Sequence, residues 1–112
     1  MTCSPFDVVL IPFPFADAPE IKVRPALVIS RESFNEFGLT TTAMITSARH
    51  SHCPGDVAID HLAAGLPKPC IVRLKLFTID NRLIRLKLGS LTEFDRISVR
   101  RELHAHLAVA TF

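Results

Sequence analysis

Arg24-Pro25-Ala26-Leu27-Val28-Ile29-Ser30 is an apolar, β-branched run with an arginine at its mouth, a cation that no physiological pH removes. Its composition predicts a strand over 24–31, apolar enough to be buried on both faces. A guanidinium at such a position can bind a phosphate bidentately. A second run, Thr40-Thr41-Thr42-Ala43-Met44-Ile45-Thr46-Ser47, predicts another strand that ends in two hydroxyls, and Arg49-His50 follows at once. Two strand ends therefore offer a cation and hydroxyls. Arg beside Pro is also an ordinary solvated strand start and Thr an ordinary strand former, so residue types alone leave the site open.

The remaining punctuation is supplied by proline and glycine. Asp7 to Phe13 predicts a strand that Pro12 and Pro14 confine to an edge or terminate. Ser33 to Phe37 predicts a helical turn ended by Gly38. Asp56 to Ile59 predicts a short strand, and Asp60 to Ala64 a single helical turn stopped by Gly65. Cys70 to Asp80 predicts a long strand whose alternating Arg73 and Lys75 make one face cationic. Arg82 to Leu88 predicts a last strand before Gly89. Thr92 then reads as an N-cap with Asp95 at the third helical position, and Phe94, Ile97, Leu103 and Leu107 as the apolar face of a helix reaching about Val109. Short strands, tight turns and one terminal helix predict a mainly β fold, a small antiparallel barrel with α additions.

A chain of 112 residues predicts one domain, spanning 1–112. Hydrophobic residues make up 48% and charged ones 21%, which excludes a disordered polyelectrolyte. The net charge of +2 is too small to argue for nucleic acid by itself, although nine of the 13 basic residues are arginine. No run of about 20 apolar residues and no basic-then-apolar leader is present, so the expectation is a cytoplasmic protein without a membrane span. Cys3, Cys53 and Cys70 are odd in number and widely spaced, which predicts reduced thiols. The run His50-Ser51-His52-Cys53 carries good zinc ligands but lacks a spaced second pair, so neither a metal nor a cofactor is expected.

Four segments together resemble the MazF/PemK family of toxin endoribonucleases. They are Asp7 to Phe15, Arg24 to Ser30, Ile45-Thr46-Ser47, and Val72 through Leu83 with its Phe77-Thr78-Ile79-Asp80 run. Two departures stand out: Phe6 occupies the place before Asp7 where the family usually has Gly, and the 17–23 connection is short and poor in glycine. Because Phe does not readily take positive φ, the first strand is expected to begin differently here.

The resemblance implies an SH3-like barrel with a C-terminal helix, a homodimer, and the toxin role of a type II toxin–antitoxin system with a protein antitoxin as partner. A mean hydropathy of +0.30 in so small a chain is in keeping with an apolar interface. The resemblance places the catalytic pair on Arg24 and Thr46, and implies metal-independent cleavage of single-stranded RNA by its own 2′-hydroxyl, leaving 2′,3′-cyclic phosphate and 5′-hydroxyl ends. Ser47, Arg49, His50, Lys68, Arg73 and Lys75 are the candidates for binding backbone phosphates. His50, Asp17 and Glu20 are candidate bases, and Phe13 and Phe15 candidate stacking platforms for unpaired bases. Two alternatives share the fold: a gyrase-inhibiting toxin of the CcdB type, and an inactive homologue that only binds an antitoxin. The Arg24 and Thr46 matches favour the nuclease.

Overall fold

The computed structural model describes residues 1–13, 22–49 and 51–108. Six strands, β1 (Asp7–Phe13), β2 (Lys22–Val28), β3 (Leu39–Ser47), β4 (Val57–Ile59), β5 (Cys70–Asp80) and β6 (Leu86–Ser90), form one antiparallel sheet in the order β4-β5-β3-β2-β1-β6. A one-turn helix, α1 (Glu32–Asn35), joins β2 to β3, and α2 (Glu93–His106) follows β6. The predicted mainly β barrel class with a C-terminal helix is what forms, opened into a half-barrel.

Two apolar layers follow from the period-2 alternation of the central strands. Val8 and Leu27, paired across β1 and β2, join Ala43, Ile45, Val72 and, from α2, Val99 in one cluster. Val9 and Ala26, the next pair, point the other way and join Ile11, Phe13 and Val28. Met44, Phe77 and Ile79 pack on this second cluster while staying half-buried. Phe13 meets Phe77 edge to face, at 4.3 Å between ring centroids.

Several boundaries differ from the sequence expectation, each for a physical reason. β1 is interior, between β2 and β6, yet its pairing with β6 covers only Asp7 to Leu10. Leu10 C=O accepts from Arg85 N–H, so residues two apart from Leu10 face the β6 side, and Pro12 lies where that ladder has already ended. β2 starts at Lys22, and only Ala26, Leu27 and Val28 are buried. The last strand begins at Leu86 rather than Arg82: Asp80 caps a 3₁₀ turn over Asn81–Leu83, accepting from Arg82 N–H. Gly89 therefore lies within β6. Residues 60–65 form a turn, not a regular helix, with Asp60 Oδ1 accepting from the Leu62 and Ala63 N–H groups.

Thr92 does cap α2, accepting from Asp95 N–H, but the buried face of that helix is Asp95 and Val99, with Leu103 partly covered. Phe94 is 78% exposed. Asp95 is drawn inward because its Oδ2 accepts from Asp60 N–H at 2.7 Å, tying α2 to the 60–65 turn.

Phe6 overturns the expectation of a different first-strand start. Its φ is +71°, the left-handed conformation that glycine takes without penalty. That backbone is held by Phe6 N–H to Val28 C=O at 2.7 Å and Leu91 N–H to Phe6 C=O at 3.0 Å. The ring lies beneath two guanidinium groups of α2, Arg96 at 5.6 Å and Arg100 at 5.5 Å. The geometry of a glycine position is kept, and a stacked ring offsets the strain.

Candidate functional site

The site begins where β2 and β3 part. Their pairing covers only Ala26↔Met44, Leu27↔Ala43 and Val28↔Thr42. Ile29 N–H donates to Thr41 C=O, so the alternate residues Leu27 and Pro25 also face β3. The next ladder bond would need an N–H from Pro25, and proline has none. The strands separate there. Continuing the Ala26↔Met44 register by two residues sets Arg24 opposite Thr46, so the two residues stand on opposite lips of the gap and on the same face of the sheet.

The gap opens into a cleft of about 790 Å³. Arg24, Thr46, Ser47, Arg49, Lys68 and Arg73 all line it, six of the eight residues that sequence singled out. Lys75 does not: β5 bulges between the residues paired with Ala43 and Met44, which are Leu76 and Arg73. Leu74 and Lys75 are the extra pair, so the regular alternation that would have made a cationic face is broken. His50, Phe15, Asp17 and Glu20 lie outside the described residues. Phe13 is 2% exposed and packs on Phe77, which removes it as a stacking platform.

The far wall of the cleft is the 65–68 segment, fixed by a crossing of two backbones. At Gly65, where φ is +76°, an added Cβ would lie 2.1 Å from Leu88 C=O. At Gly89 it would lie 2.7 Å from Ala63 C=O. The turn thus rests directly on β6, and from it Leu66, Pro67 and Lys68 extend along the cleft. With Leu10, Pro25 and Leu88, the apolar side chains Leu66 and Pro67 give one side of the cleft a hydrocarbon surface that sequence reasoning missed. The Pro-x-Pro run at 67–69 is the signal the sequence offers for it.

The cations differ in their engagement. Arg24 is exposed and, among the described residues, its guanidinium has no hydrogen bond or ion pair. Arg73 is held: its Nε donates to Asp56 Oδ1 at 3.1 Å and its Nη2 to Asp56 Oδ2 at 3.0 Å and to Ser51 C=O. The Asp56 side chain is 2% exposed and that of Arg73 20%. Burial pushes the Asp56 carboxyl up, but hydrogen bonds from Arg73 and from Cys53 N–H, with the Arg73 charge, outweigh it and hold it below the usual carboxylate range. The same hydrogen bonds raise Arg73 further. Expected as a phosphate ligand, Arg73 has most of its charge already answered by Asp56. In the sequence Asp56 stands only as the start of the predicted 56–59 strand.

Cys70, paired with Ser47 across β3 and β5, also lines the cleft, and its Sγ lies 3.2 Å from Lys68 C=O. Burial pushes this thiol up, so it contributes a neutral, apolar floor rather than a nucleophile. All three cysteines are free. His52 lies 3.8 Å from Asp56, and among the described residues no three His, Cys, Asp or Glu side chains are grouped to hold a metal ion. Among the described residues no helix is long and apolar enough to cross a membrane.

Residues 4–107 match the family described as PemK-like, MazF-like toxin of type II toxin–antitoxin system. The comparison with curated proteins gives no match. Among solved structures, MazF from Deinococcus radiodurans superposes with a TM-score of 0.77 at 23% identity, covering 97% of this chain and 99% of that one. The MazE–MazF crystal from the same organism gives 0.78 at 21%, covering 98% and 100%. An endoribonuclease in complex with its cognate antitoxin, from a mycobacterial species, gives 0.76 at 14%, covering 98% and 99%. At these identities the likeness shows a shared fold.

Proposed function

Because the chain belongs to the PemK-like, MazF-like toxin family, we propose that it is the toxin of a type II toxin–antitoxin pair and acts as a metal-independent endoribonuclease on single-stranded RNA. The observation that carries this reading is the parting of β2 and β3 at Pro25, with Arg24 and Thr46 on the two lips and no described partner for the Arg24 guanidinium.

In this reading the substrate supplies its own nucleophile. The 2′-oxygen attacks the adjacent phosphorus in line, its proton passes to a base or to water, and the 5′-oxygen leaves with a proton. The products carry a 2′,3′-cyclic phosphate and a 5′-hydroxyl. Charge develops on the non-bridging oxygens as the fifth bond forms. Arg24 meets that charge with fixed N–H donors and Thr46 with a hydroxyl, both placed before the substrate arrives, so little reorganisation is required. Lys68 and Arg49 engage flanking phosphates, and the Leu66–Pro67 side accepts the apolar face of a base.

The same cleft serves an antitoxin. A cationic groove with one hydrocarbon side suits a segment that carries carboxylates and apolar anchors, and such a segment competes with RNA for the surface. Among the similar solved structures, one is an endoribonuclease in complex with its cognate antitoxin and another is MazE–MazF. The half-buried layer of Met44, Phe77 and Ile79, on the sheet face away from α2, is the apolar surface that a second copy would cover in a homodimer, and the cytoplasm is the setting where RNA and antitoxin are met.

The test is incubation of purified protein with a long single-stranded RNA in EDTA, with both new ends mapped. Cleavage in EDTA with 5′-hydroxyl ends is expected. Cleavage only on adding a divalent metal, or 5′-phosphate ends, overturns the chemistry; gyrase arrest without RNA cleavage transfers the protein to the other toxin class.

A further inference from the structure

The connection between β3 and β4 carries Arg49, a cleft cation, and its described residues, 48–49 and 51–56, include no helix or strand. It is fastened on both sides of that residue. Before it, Ala48 N–H donates to Pro69 C=O at 3.1 Å. After it, Ser51 C=O accepts from Arg73 Nη2. Arg73 is itself locked by the two-point Asp56 pair, and Asp56 Oδ2 also accepts from Cys53 N–H at 2.7 Å, closing the turn that Asp56 N–H makes to Cys53 C=O. One buried carboxylate thus joins β5 to two points of the connection. Gly55 completes the attachment: an added Cβ there would meet Leu74 at 2.7 Å and His106 of α2 at 3.2 Å.

We propose that Arg73 and Asp56 are positioning residues for the cleft, a strut that fixes the 48–56 connection and thereby sets where Arg49 stands against the substrate. The proposal rests on the ribonuclease reading for its consequence in catalysis, but the strut itself does not. A guanidinium engaged at Nε and Nη2 by a carboxylate and a carbonyl adds little net charge to the cleft. Its contribution is geometric, and a displacement of about 1 Å at a substrate-positioning group is enough to slow a reaction roughly a hundredfold.

The experiment compares wild type with Asp56→Asn, Asp56→Ala, Arg73→Lys and Arg73→Ala, with and without Arg49→Ala, by amide hydrogen exchange, RNA cleavage, and salt-dependent binding of a 2′-O-methyl RNA. Asp56→Asn keeps volume and an acceptor for Cys53 N–H, so it reports even where the alanine variant folds poorly. In each strut variant, exchange at 49–53 is expected to quicken while the central strands stay protected. Cleavage falls about tenfold or more, Arg73→Lys fares no better than Arg73→Ala, and adding Arg49→Ala costs far less than it does in wild type. The salt slope of binding falls by about 0.7, the one contact that Arg49 gives up, and falls no further when Arg49→Ala is added. A direct phosphate role for Arg73 gives the opposite pattern: Asp56→Ala tightens RNA binding by freeing the cation, Arg73→Lys stays active, and Arg73→Ala lowers the salt slope by about 0.7 beyond what Arg49→Ala removes. That pattern overturns the proposal, as does unchanged exchange at 49–53. If wild type cuts no RNA, the exchange arm still decides the strut, and the failure belongs to the ribonuclease reading.

Discussion

Arg24 and Arg73 line the same cleft from different strands, and the sheet treats them in opposite ways. Arg24 stands on β2 just beyond the last pairing with β3, exposed and without a described partner. Arg73 stands on β5, its fork filled by a carboxylate that is 2% exposed. Burial near a site and availability to a ligand are different properties. A cation already met by a buried carboxylate holds structure; a cation left at the end of a ladder is free to meet charge that appears during a reaction.

The largest effect should come from the free side. Arg24→Ala and Thr46→Ala are each expected to slow RNA cleavage about 100- to 1,000-fold, with thermal midpoints within a few degrees of wild type, because neither residue belongs to the buried core. Single-turnover cleavage beside a thermal melt checks both halves, and full activity in either variant removes that residue from the mechanism. On the held side the weight reverses. Asp56→Ala leaves the partly buried Arg73 charge without its carboxylate and should cost about 3 kcal/mol of stability, at the lower end for broken buried pairs because Arg73 is one-fifth exposed. Urea denaturation measures it, and a loss near zero would erase the distinction between the two arginines.

Pro25→Val tests why the lips stand apart. It restores the N–H that the ladder lacks, so β2 and β3 should pair further and narrow the cleft; stability holds or rises while cleavage drops roughly a hundredfold through misplacement. A variant as active as wild type would mean that something other than the missing donor separates the strands.

The pair also has a pH signature. The Asp56 carboxyl is held below its unfolded value, so its stabilisation is complete above about pH 4 and is lost as pH falls through the lower folded value. Wild type should therefore lose thermal stability more steeply below pH 4 than Asp56→Asn, while the difference between them stays constant from pH 5 to 8. Arg24→Ala should leave that acid limb unmoved.

Arg96 and Arg100 show a third use of arginine, stacked over Phe6. Here the comparison is smallest in energy and unusual in sign. Phe6→Ala loses the ring and keeps the left-handed backbone, whereas Phe6→Gly loses the ring and relieves it. Glycine should be the more stable of the two variants by about 1 kcal/mol, the reverse of the ordinary order. Equal midpoints would show that the backbone relaxes when the ring is removed.

Most of the strand order of events was legible because β-branched runs bounded by Pro and Gly leave few choices, and the match of Cys70 to Asp80 with β5 shows that at its best. What was hidden depends on contacts between distant segments. No local pattern marks the β5 bulge that separates Lys75 from the cleft lining, and none in α2 shows that the bond from Asp60 N–H turns Asp95 inward in place of Phe94 and Ile97. At Phe6 the rule about side chains and positive φ was sound, yet tertiary hydrogen bonds and two guanidinium groups outweigh a penalty of that size. In the candidate site, residue types identified the basic and hydroxyl groups but could not tell a free arginine from an engaged one, since Asp56 and Arg73 are 17 positions apart.

The crossing of Gly65 over β6 has a consequence for how such a chain can vary over generations. With Ala63, Ala64 and Gly65 in contact with Leu88 and Gly89, the segment is clamped on its β4 side, and β5 begins at Cys70. An insertion or deletion between β4 and β5 that spares both this clamp and the Asp60 turn falls among residues 66–69, where Leu66, Pro67 and Lys68 line the cleft. Changes of length there alter the opening and leave the scaffold intact, so a lineage can retune what the cleft admits in single steps without passing through an unfolded ancestor.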